Sequence, residues 1–336
     1  MPCDGHVRSP AEGERPVSGA GLRKVAVTRP VPVALLLLAL APLSFAAEMA
    51  AKEAVLWDRL HGRIESIDRA LDGVLGVSVK DLKTGAAIET RPREVFPAAS
   101  VIKVAVLYEL YRQAEEGRVD LSEVTQPRLP RVQGGGVLQD LGGHVSLTVR
   151  DLAVLMVGWS DNEAANLLIG RVGMDAVNRR LEGLGLRGTL LRRRMMDIEA
   201  ARRGDENVGT PADLTRLMEE IHKGTGLSPD GARDLLAVLC TDKRGTVRVP
   251  ASPFRAPLPE GLPVADKGGD LDGVRAVTAL VLLPGRPYVV TLMTAYLRRD
   301  ADGEAAIRDI SAALYETFDR LARASEHGRY IETPSP

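Results

Sequence analysis

The chain has 336 residues, of which 45% are hydrophobic, 26% are charged and 4% are aromatic, and its formal net charge is −1. A near-neutral charge with so few aromatic side chains excludes the basic or stacking surfaces that bind nucleic acid. The length is sufficient for one large domain or two small ones, with an ordinary hydrophobic core.

The first predicted segment is an export signal. Arg23, Lys24 and Arg29 precede the apolar run VPVALLLLALAPLSFAA at 31–47. A basic flank, a short apolar core and small residues at its end are typical of a Sec-type signal peptide, cleaved here after about Ala46. The run contains two prolines and is shorter than the ~20 residues of a membrane span. We therefore expect an exported protein, periplasmic or secreted, without a stable membrane anchor; a retained anchor is the alternative.

Cysteine and histidine usage argues against a disulfide or a metal. Cys3 lies in the predicted leader, so Cys240 would be the one thiol of the mature chain, and we interpret it as a small buried hydrophobic residue. The histidines have no partner at i+4 and no neighbouring cysteine, which predicts no metal and no cofactor. Those considered are His61, His144, His222 and His327.

Hydrophobic periodicity predicts the first elements. Residues 47–73 repeat apolar side chains at three- and four-residue intervals and predict an amphipathic helix. The alternating stretches 75–82 and 86–91 predict a β-hairpin. An apolar helix is then expected from about 100 to 116.

The remaining elements follow from caps and composition. Helical patterns dominate 118–240, and Thr210 and Ser228 are expected N-caps because each is followed by proline. After a proline-rich loop at 249–263, three β-rich stretches and a final amphipathic helix complete the chain.

This order predicts the fold class. Strands from both ends of a chain can join one sheet, so we expect an α/β (α+β) fold with a five-stranded antiparallel sheet. N- and C-terminal helices would flank the sheet, and an all-helical lobe would be inserted. The expected domains are a signal peptide at 1–46 and one domain at 47–336, with an α/β lobe (47–98 and 241–336) and a helical lobe (99–240). The cleft between the lobes is the expected site.

The stretch FPAASVIKVAVLYELY at 96–111 combines a serine with a lysine three residues later. On a helix, Ser100 and Lys103 point to the same side. The N-terminus of the helix offers N–H groups to a developing oxyanion, and a desolvated lysine can accept a proton from a serine. The pair alone also fits a helix cap followed by a lysine that reaches solvent.

Two further stretches carry polar groups at predicted element ends. Ser160, Asp161 and Asn162 lie between two predicted helices, where such a tripeptide is typical of a turn with an N-cap. Lys267 ends a predicted strand and is followed by two glycines, which let a substrate lie against the strand backbone.

The three stretches, in this order, resemble the S-x-x-K, S-D-N and K-T-G motifs of the class A serine β-lactamases and the related penicillin-binding D,D-peptidases. The resemblance covers residues 50–325. It implies that Ser100 attacks the lactam carbonyl to form an acyl-enzyme, and that Lys103 acts in its deprotonation. Ser160 would pass a proton to the leaving nitrogen, and Lys267 would hold this network and attract the substrate carboxylate.

The resemblance also implies the substrate contacts. Asn162 would bind the acyl-amide side chain and steady the first lysine. The backbone N–H groups of the nucleophile and of Asp270 would form the oxyanion hole. Arg275 would match the family's carboxylate-binding arginine, although the turn before it is one residue shorter. The expected substrate-binding residues are Asn162, Gly268, Gly269, Asp270 and Arg275.

The sequence departs from the family where the acyl group is released. Class A enzymes carry a glutamate that activates the deacylating water, in a loop before a G-D-E…T-P segment. In this chain Met195 occupies that position, and Asp197 and Glu199 follow two and four residues later. Either carboxylate is a candidate base, and solvated surface groups are the alternative. The third motif also has Gly268 in place of a hydroxyl residue.

We therefore expect a serine hydrolase that opens the β-lactam amide through a Ser100 acyl-enzyme, with slow deacylation. The alternatives are a D,D-peptidase or other penicillin-binding acyl hydrolase, and a sensor that binds β-lactams or peptidoglycan without turnover. The expected partner is a small molecule, a β-lactam or a D-Ala-D-Ala-like peptide, and the expected oligomeric state is a monomer.

Overall fold

The computed structural model describes residues 34–126, 132, 134–141, 145–241, 252–325 and 327–331. The chain divides after Ala47, and the unit Glu48–Pro336 contains the sheet. The described residues do not include the basic flank of the predicted signal peptide, Cys3 or His144. Within the described part, no helix is both long and apolar enough to cross a membrane.

The helices and strands of the described residues have the following bounds. The helices are α1 (Ala34–Ala70), α2 (Lys103–Glu115), α3 (Val149–Gly158), α4 (Asn162–Val172), α5 (Met174–Gly183), α6 (Ile198–Arg202), α7 (Pro211–Lys223), α8 (Pro229–Leu239) and α9 (Asp300–Ala322). The strands are β1 (Val74–Asp81), β2 (Ala87–Thr90), β3 (Phe96–Pro97), β4 (Val124–Thr125), β5 (Leu147–Thr148), β6 (Val208–Gly209), β7 (Val264–Leu271), β8 (Val274–Val281) and β9 (Tyr288–Ala295). Short 3₁₀ turns span Ala99–Ile102 and Leu138–Asp140.

The main sheet confirms the predicted fold class. Its five strands are antiparallel in the order β2-β1-β9-β8-β7. The N-terminal strand β1 pairs with the C-terminal strand β9, with Val77 opposite Leu292. The helices α2–α8 are therefore inserted between two halves of one sheet.

The sheet is buried on both faces. Because side chains alternate along a strand, neighbouring residues of one strand face two different cores. In β9, Val289 and Met293 face a core shared with the inserted helices. Val290 and Leu292 face a second core, which is shared with α1 and α9. The edge strand β7 contacts the 3₁₀ turn Ala99–Ile102, so the predicted nucleophile lies where the sheet meets the helical insertion.

Side-chain N-caps begin α3, α7 and α8, and two of these caps, Thr210 and Ser228, are the predicted ones. Thr148 caps α3 through a reciprocal capping box with Asp151. Thr210 and Ser228 cap α7 and α8, and each precedes a proline at the first helical position. The helix predicted from about 100 is different, because Ser100 lies in the 3₁₀ turn and α2 begins only at Lys103.

Candidate active site

Ser100 lies in a tight turn against the backbone of β7. The residue before it, Ala99, has φ +46°, a left-handed conformation that non-glycine residues seldom adopt. A Cβ atom on Gly269 of β7 would stand 2.8 Å from the nitrogen of Ser100 and 3.0 Å from that of Val101. The glycine is therefore required by the close approach of the strand, which places the β7 backbone beside the Ser100 N–H group.

Lys103 is buried at the start of α2 with no exposed surface. Its Nζ donates hydrogen bonds to the backbone oxygen of Ser160 at 2.6 Å, to Ser160 Oγ at 3.2 Å and to Asn162 Oδ1 at 2.9 Å. Burial, and then the positive charge of Lys267, lower the pKa of Lys103 well below its usual range, while Asp161 opposes this shift. A neutral amine, which can accept a proton, is therefore accessible at this position.

Ser160 connects the two lysines. Its Oγ accepts from Lys103 Nζ at 3.2 Å and from Lys267 Nζ at 3.1 Å. Its φ of +52° is again left-handed, which costs a non-glycine residue about 1–3 kcal/mol. Lys267 is 4% exposed and also donates to the oxygen of Gly268 at 2.6 Å. The hydroxyl is thus positioned between two amines, where it can relay a proton.

Asp161 holds this strained turn in place. It is fully buried, and its Oδ1 accepts from the N–H groups at the start of α4 (Glu163 and Ala164, both 2.9 Å). Its Oδ2 accepts from the N–H groups of Val137 and Leu138 at 2.7 and 2.8 Å. One carboxylate therefore fixes both α4 and the glycine-rich stretch that precedes Val137.

The glycine-rich stretch 134–136 is fitted to that carboxylate and to Asn162. A Cβ on Gly136 would stand 2.1 Å from Asp161 Oδ2, so only glycine fits there. Asn162 Nδ2 donates to the oxygen of Gly134 at 3.0 Å. A Cβ on Gly134 would stand 2.7 Å from the side chain of Met196. The stretch thus joins the Ser160–Asn162 turn to the loop before α6.

Met195, the residue at the position of the missing glutamate, is anchored to α4. Its N–H donates to Asn166 Oδ1 at 2.7 Å, and its carbonyl accepts from Asn166 Nδ2 at 3.0 Å. The side chain of Met195 is buried. Sequence reasoning missed Asn166, although it lies one helical turn after Asn162 and so points to the same side of α4.

The side chains of Asp197 and Glu199, the candidate water-activating residues, interact with groups of α6. Asp197 is the N-cap of α6, and its Oδ1 accepts from the N–H of Ala200 at 3.0 Å. Glu199 pairs with Arg202 at 2.7 Å, and both side chains are 72% exposed. The structure does not bring these two carboxylates into the network of Ser160, Lys103 and Lys267, and it places them as the surface groups of the alternative interpretation.

Arg275, the expected carboxylate-binding residue, is surrounded by acidic side chains. Its guanidinium pairs with Asp300 at 2.9 Å, with Glu304 at 3.1 Å and with Asp270 at 3.5 Å. Its NH1 also donates to the backbone oxygens of Leu271 and Val274. The arginine therefore lies beside β7 as expected, but its charge is already balanced by protein groups.

The chain and its fold are similar to known proteins over most of their length. The model of the "Beta-lactamase enzyme family" matches residues 59–318. A β-lactamase of Streptomyces cellulosae is 31% identical over 69% of this chain and 75% of its own length. The crystal structure of a β-lactamase from Sphaerobacter thermophilus DSM 20745 has a TM-score of 0.68 at 30% identity, covering 78% of this chain and 97% of its own. A PBP-A mutant, an acyl-enzyme complex with penicillin G, has a TM-score of 0.69 at 29% identity, covering 79% of this chain and 97% of its own.

Proposed function

Because the chain belongs to the β-lactamase enzyme family, we propose that it is a serine hydrolase that acylates Ser100 with β-lactams and releases the acyl group slowly. The observation that carries this proposal is the combination of a Lys103–Ser160–Lys267 network with a methionine at the deacylation position. The first feature supports acylation, and the second removes the residue that would complete turnover.

The acylation step would use Ser100, the Lys103–Ser160–Lys267 network and two backbone N–H groups. Neutral Lys103 takes the proton of the Ser100 hydroxyl as its Oγ attacks the lactam carbonyl. The N–H groups of Ser100 and Asp270 stabilise the oxyanion, which is supported by the approach of Gly269 to the Ser100 nitrogen. The C–N bond of the ring then breaks, and the nitrogen receives a proton through Ser160 Oγ, which lies between the two lysines.

Deacylation lacks an evident base. A methionine thioether cannot take a proton from water, and the Asp197 and Glu199 carboxylates are engaged at α6. General-base catalysis commonly contributes about 10²–10⁴-fold to a rate, so its loss would make the acyl-enzyme long-lived. The PBP-A mutant held as an acyl-enzyme with penicillin G shows that a protein of similar fold forms this intermediate.

A D,D-peptidase or penicillin-binding acyl hydrolase is the second candidate. In that case a peptide ending in D-Ala-D-Ala would acylate Ser100 with the help of the same lysine and serine groups. The similarity to PBP-A and the methionine at position 195 favour this candidate over a β-lactamase with rapid turnover. Export by the signal predicted in residues 1–46 would place the enzyme, which we expect to be a monomer, in the periplasm or the medium. A sensor that is acylated without turnover is the third candidate, and it would also form a persistent adduct.

The test is to mix the protein with a chromogenic cephalosporin and to follow both colour and intact mass. We expect a burst of colour that matches the enzyme concentration, followed by slow turnover and a persistent mass adduct. Ser100→Ala should abolish burst and adduct. Rapid sustained turnover would establish an efficient β-lactamase instead, and the absence of both colour and adduct would refute β-lactam acylation.

A further inference from the structure

The edge strand β7 leads from the candidate active site to a second opening on the surface. It is the last strand in the order of the main sheet, and an edge strand can pair with an extended peptide. Lys267, on the leaving-group side of the proposed mechanism, lies in the middle of β7, and Asp270, whose N–H group would bind the oxyanion, follows three residues later. The acyl side of a bound substrate would therefore continue along β7 towards Leu271 and the β7–β8 turn.

A groove of about 940 Å³ begins at this turn. It is lined by residues of the turn, of the segment before the nucleophile and of the segment after β9, among them Asp272, Gly273, Val95, Phe96, Tyr296 and Leu297. Asp272 lies five positions after Lys267, which corresponds to about 17 Å of extended strand. A substrate that continues for a few residues beyond the reacting bond would therefore reach the groove.

Tyr296 presents its ring to this groove at a cost in free energy. Its side chain is 84% exposed, and that of Val95 in the same groove is 60% exposed. Tyr296 also has φ +58°, a left-handed conformation that costs a non-glycine residue about 1–3 kcal/mol. An exposed ring gains none of the free energy that burial of a tyrosine normally contributes, so burial does not offset this cost.

The fold requires the left-handed turn but not the tyrosine. The next residue, Leu297, is 7% exposed, and a Cβ on Gly73 or on Gly303 would stand 2.9 or 2.5 Å from its side chain. The N–H of Leu297 also donates to the oxygen of Gly273 at 3.1 Å. Glycine or asparagine would make the same turn at a lower cost. Packing among the residues that the structure describes therefore accounts for Leu297 but not for the exposed ring of Tyr296.

We propose that this groove is an extended acyl-side subsite, in which Tyr296 packs against the N-terminal residues of a peptide that ends in D-Ala-D-Ala. The exposed charged side chains of the groove, Glu94, Asp272 and Arg298, supply hydrogen-bond acceptors and donors for the polar groups of the peptide. This inference rests on the proposed acylation of Ser100. It deepens the second candidate function by naming the substrate class, a peptide of about five residues rather than a dipeptide.

The experiment measures how well peptides protect Ser100 from acylation by benzylpenicillin, which is followed by intact mass. The two peptides are acetyl-D-Ala-D-Ala and acetyl-Ala-Ala-Ala-D-Ala-D-Ala, and the readout is the ratio of the concentrations that give half-protection. In the wild-type protein we expect the pentapeptide to protect at a concentration at least about tenfold lower. Two or three additional hydrogen bonds and one aromatic contact together give about that factor.

Tyr296→Gly should reduce the advantage of the pentapeptide by about two- to tenfold, the range of one aromatic contact. Glycine adopts the left-handed conformation without strain, so this variant preserves the turn. Tyr296→Phe retains the ring and should retain the advantage. The matched control is Tyr330→Ala, since Tyr330 is 48% exposed and does not line this groove, and its ratio should equal that of the wild-type protein. Acylation without peptide is measured for every variant as the reference for folding.

Three results would overturn the inference while leaving the proposed acylation intact. The first is a pentapeptide that protects the wild-type protein no better than the dipeptide, or not at all. The second is an advantage that Tyr296→Gly leaves unchanged or that Tyr296→Phe removes. The third is an equal loss of advantage in Tyr330→Ala. If benzylpenicillin forms no adduct on Ser100 in the absence of peptide, the proposed function itself fails and the inference fails with it.

Discussion

The amine of Lys103 and the backbone oxygen of Ser160 are joined by a hydrogen bond of 2.6 Å, across 57 positions of the sequence. This bond ties the helix that follows the candidate nucleophile to the strained turn between α3 and α4. It also fixes the lysine at a depth where burial and the neighbouring Lys267 favour the neutral amine. The proton acceptor and the proton relay of the proposed mechanism are therefore positioned by one another.

Replacing Lys103 should slow acylation severely. We expect Lys103→Ala to reduce the rate by about 10²–10⁴-fold, because the base that takes the Ser100 proton is lost. Stopped-flow measurement of the cephalosporin burst provides the rate. Lys83→Ala, at an exposed lysine of the β1–β2 turn, is the matched control and should leave the burst unaltered. An acylation rate that survives in Lys103→Ala would rule out this lysine as the base.

The pH dependence of acylation should report the pKa of Lys103. Only the neutral amine accepts a proton, so the rate should rise with pH through this pKa, which lies well below the ordinary lysine range. The charge of Lys267 contributes to that lowering, so Lys267→Gln should raise the pKa and move the ascending limb to higher pH. The measurement is the burst rate against pH for both proteins. A limb that stays in place or moves to lower pH in Lys267→Gln would contradict the assignment.

A carboxylate at position 195 should restore deacylation. The backbone of residue 195 is held by both side-chain atoms of Asn166, so Met195→Glu would place the new group on a fixed part of the loop. We expect the adduct to decay faster by about 10²-fold or more, the lower range of general-base catalysis. Intact mass against time measures the decay. Met196→Glu, at the neighbouring exposed methionine, is the control, and equal acceleration in both variants would refute a positional effect.

A methyl group on Gly269 should disturb the oxyanion hole. Its Cβ would stand 2.8 Å from the Ser100 nitrogen, a backbone atom that cannot rotate away, so β7 or the 3₁₀ turn must shift. Loss of one oxyanion donor costs about 10²–10³-fold, and we expect Gly269→Ala to lose acylation on this scale.

Gly268→Ala provides the comparison for that variant. Its Cβ would meet no atom closer than the Ala276 oxygen at 3.9 Å, so its effect on acylation should be much smaller. Thermal unfolding of both variants shows whether the protein remains folded. Equal acylation losses in the two variants would argue against a specific role for the approach of Gly269 to Ser100.

Much of the fold was predictable because the signals are local. Alternating stretches gave the strands, and the Thr-Pro and Ser-Pro pairs gave the starts of α7 and α8. The start of α2 was misplaced by three residues, because residues Ala99–Ile102, which include the left-handed Ala99, form a 3₁₀ turn instead of the first α-helical turn. No sequence pattern predicts a positive φ at an alanine, and this one lies in a turn that packs against the distant strand β7.

Parts of the candidate site were also predictable from the sequence, and other parts were not. Ser100 and Lys103 could be paired from their i,i+3 spacing, whereas Ser160 and Lys267 were named through the resemblance to the three family motifs. Asn166 could have been added from its i+4 spacing to Asn162. The contacts of Asp197 and Glu199 with α6 could not be predicted from the sequence. Asp197 is the N-cap of this helix and Glu199 forms an exposed ion pair on it, and both contacts depend on where the loop folds into a helix.

By itself, then, the sequence determined the order of the elements and the methionine at position 195, and its resemblance to the class A serine β-lactamases named the candidate site residues. Only the tertiary structure decided how those residues behave. The pKa of Lys103 and the charge available from Arg275 depend on burial and on groups that lie far away in the chain, such as Lys267 and Glu304. Desolvation and Coulomb energy act through space, and short motifs contain no information about such distances.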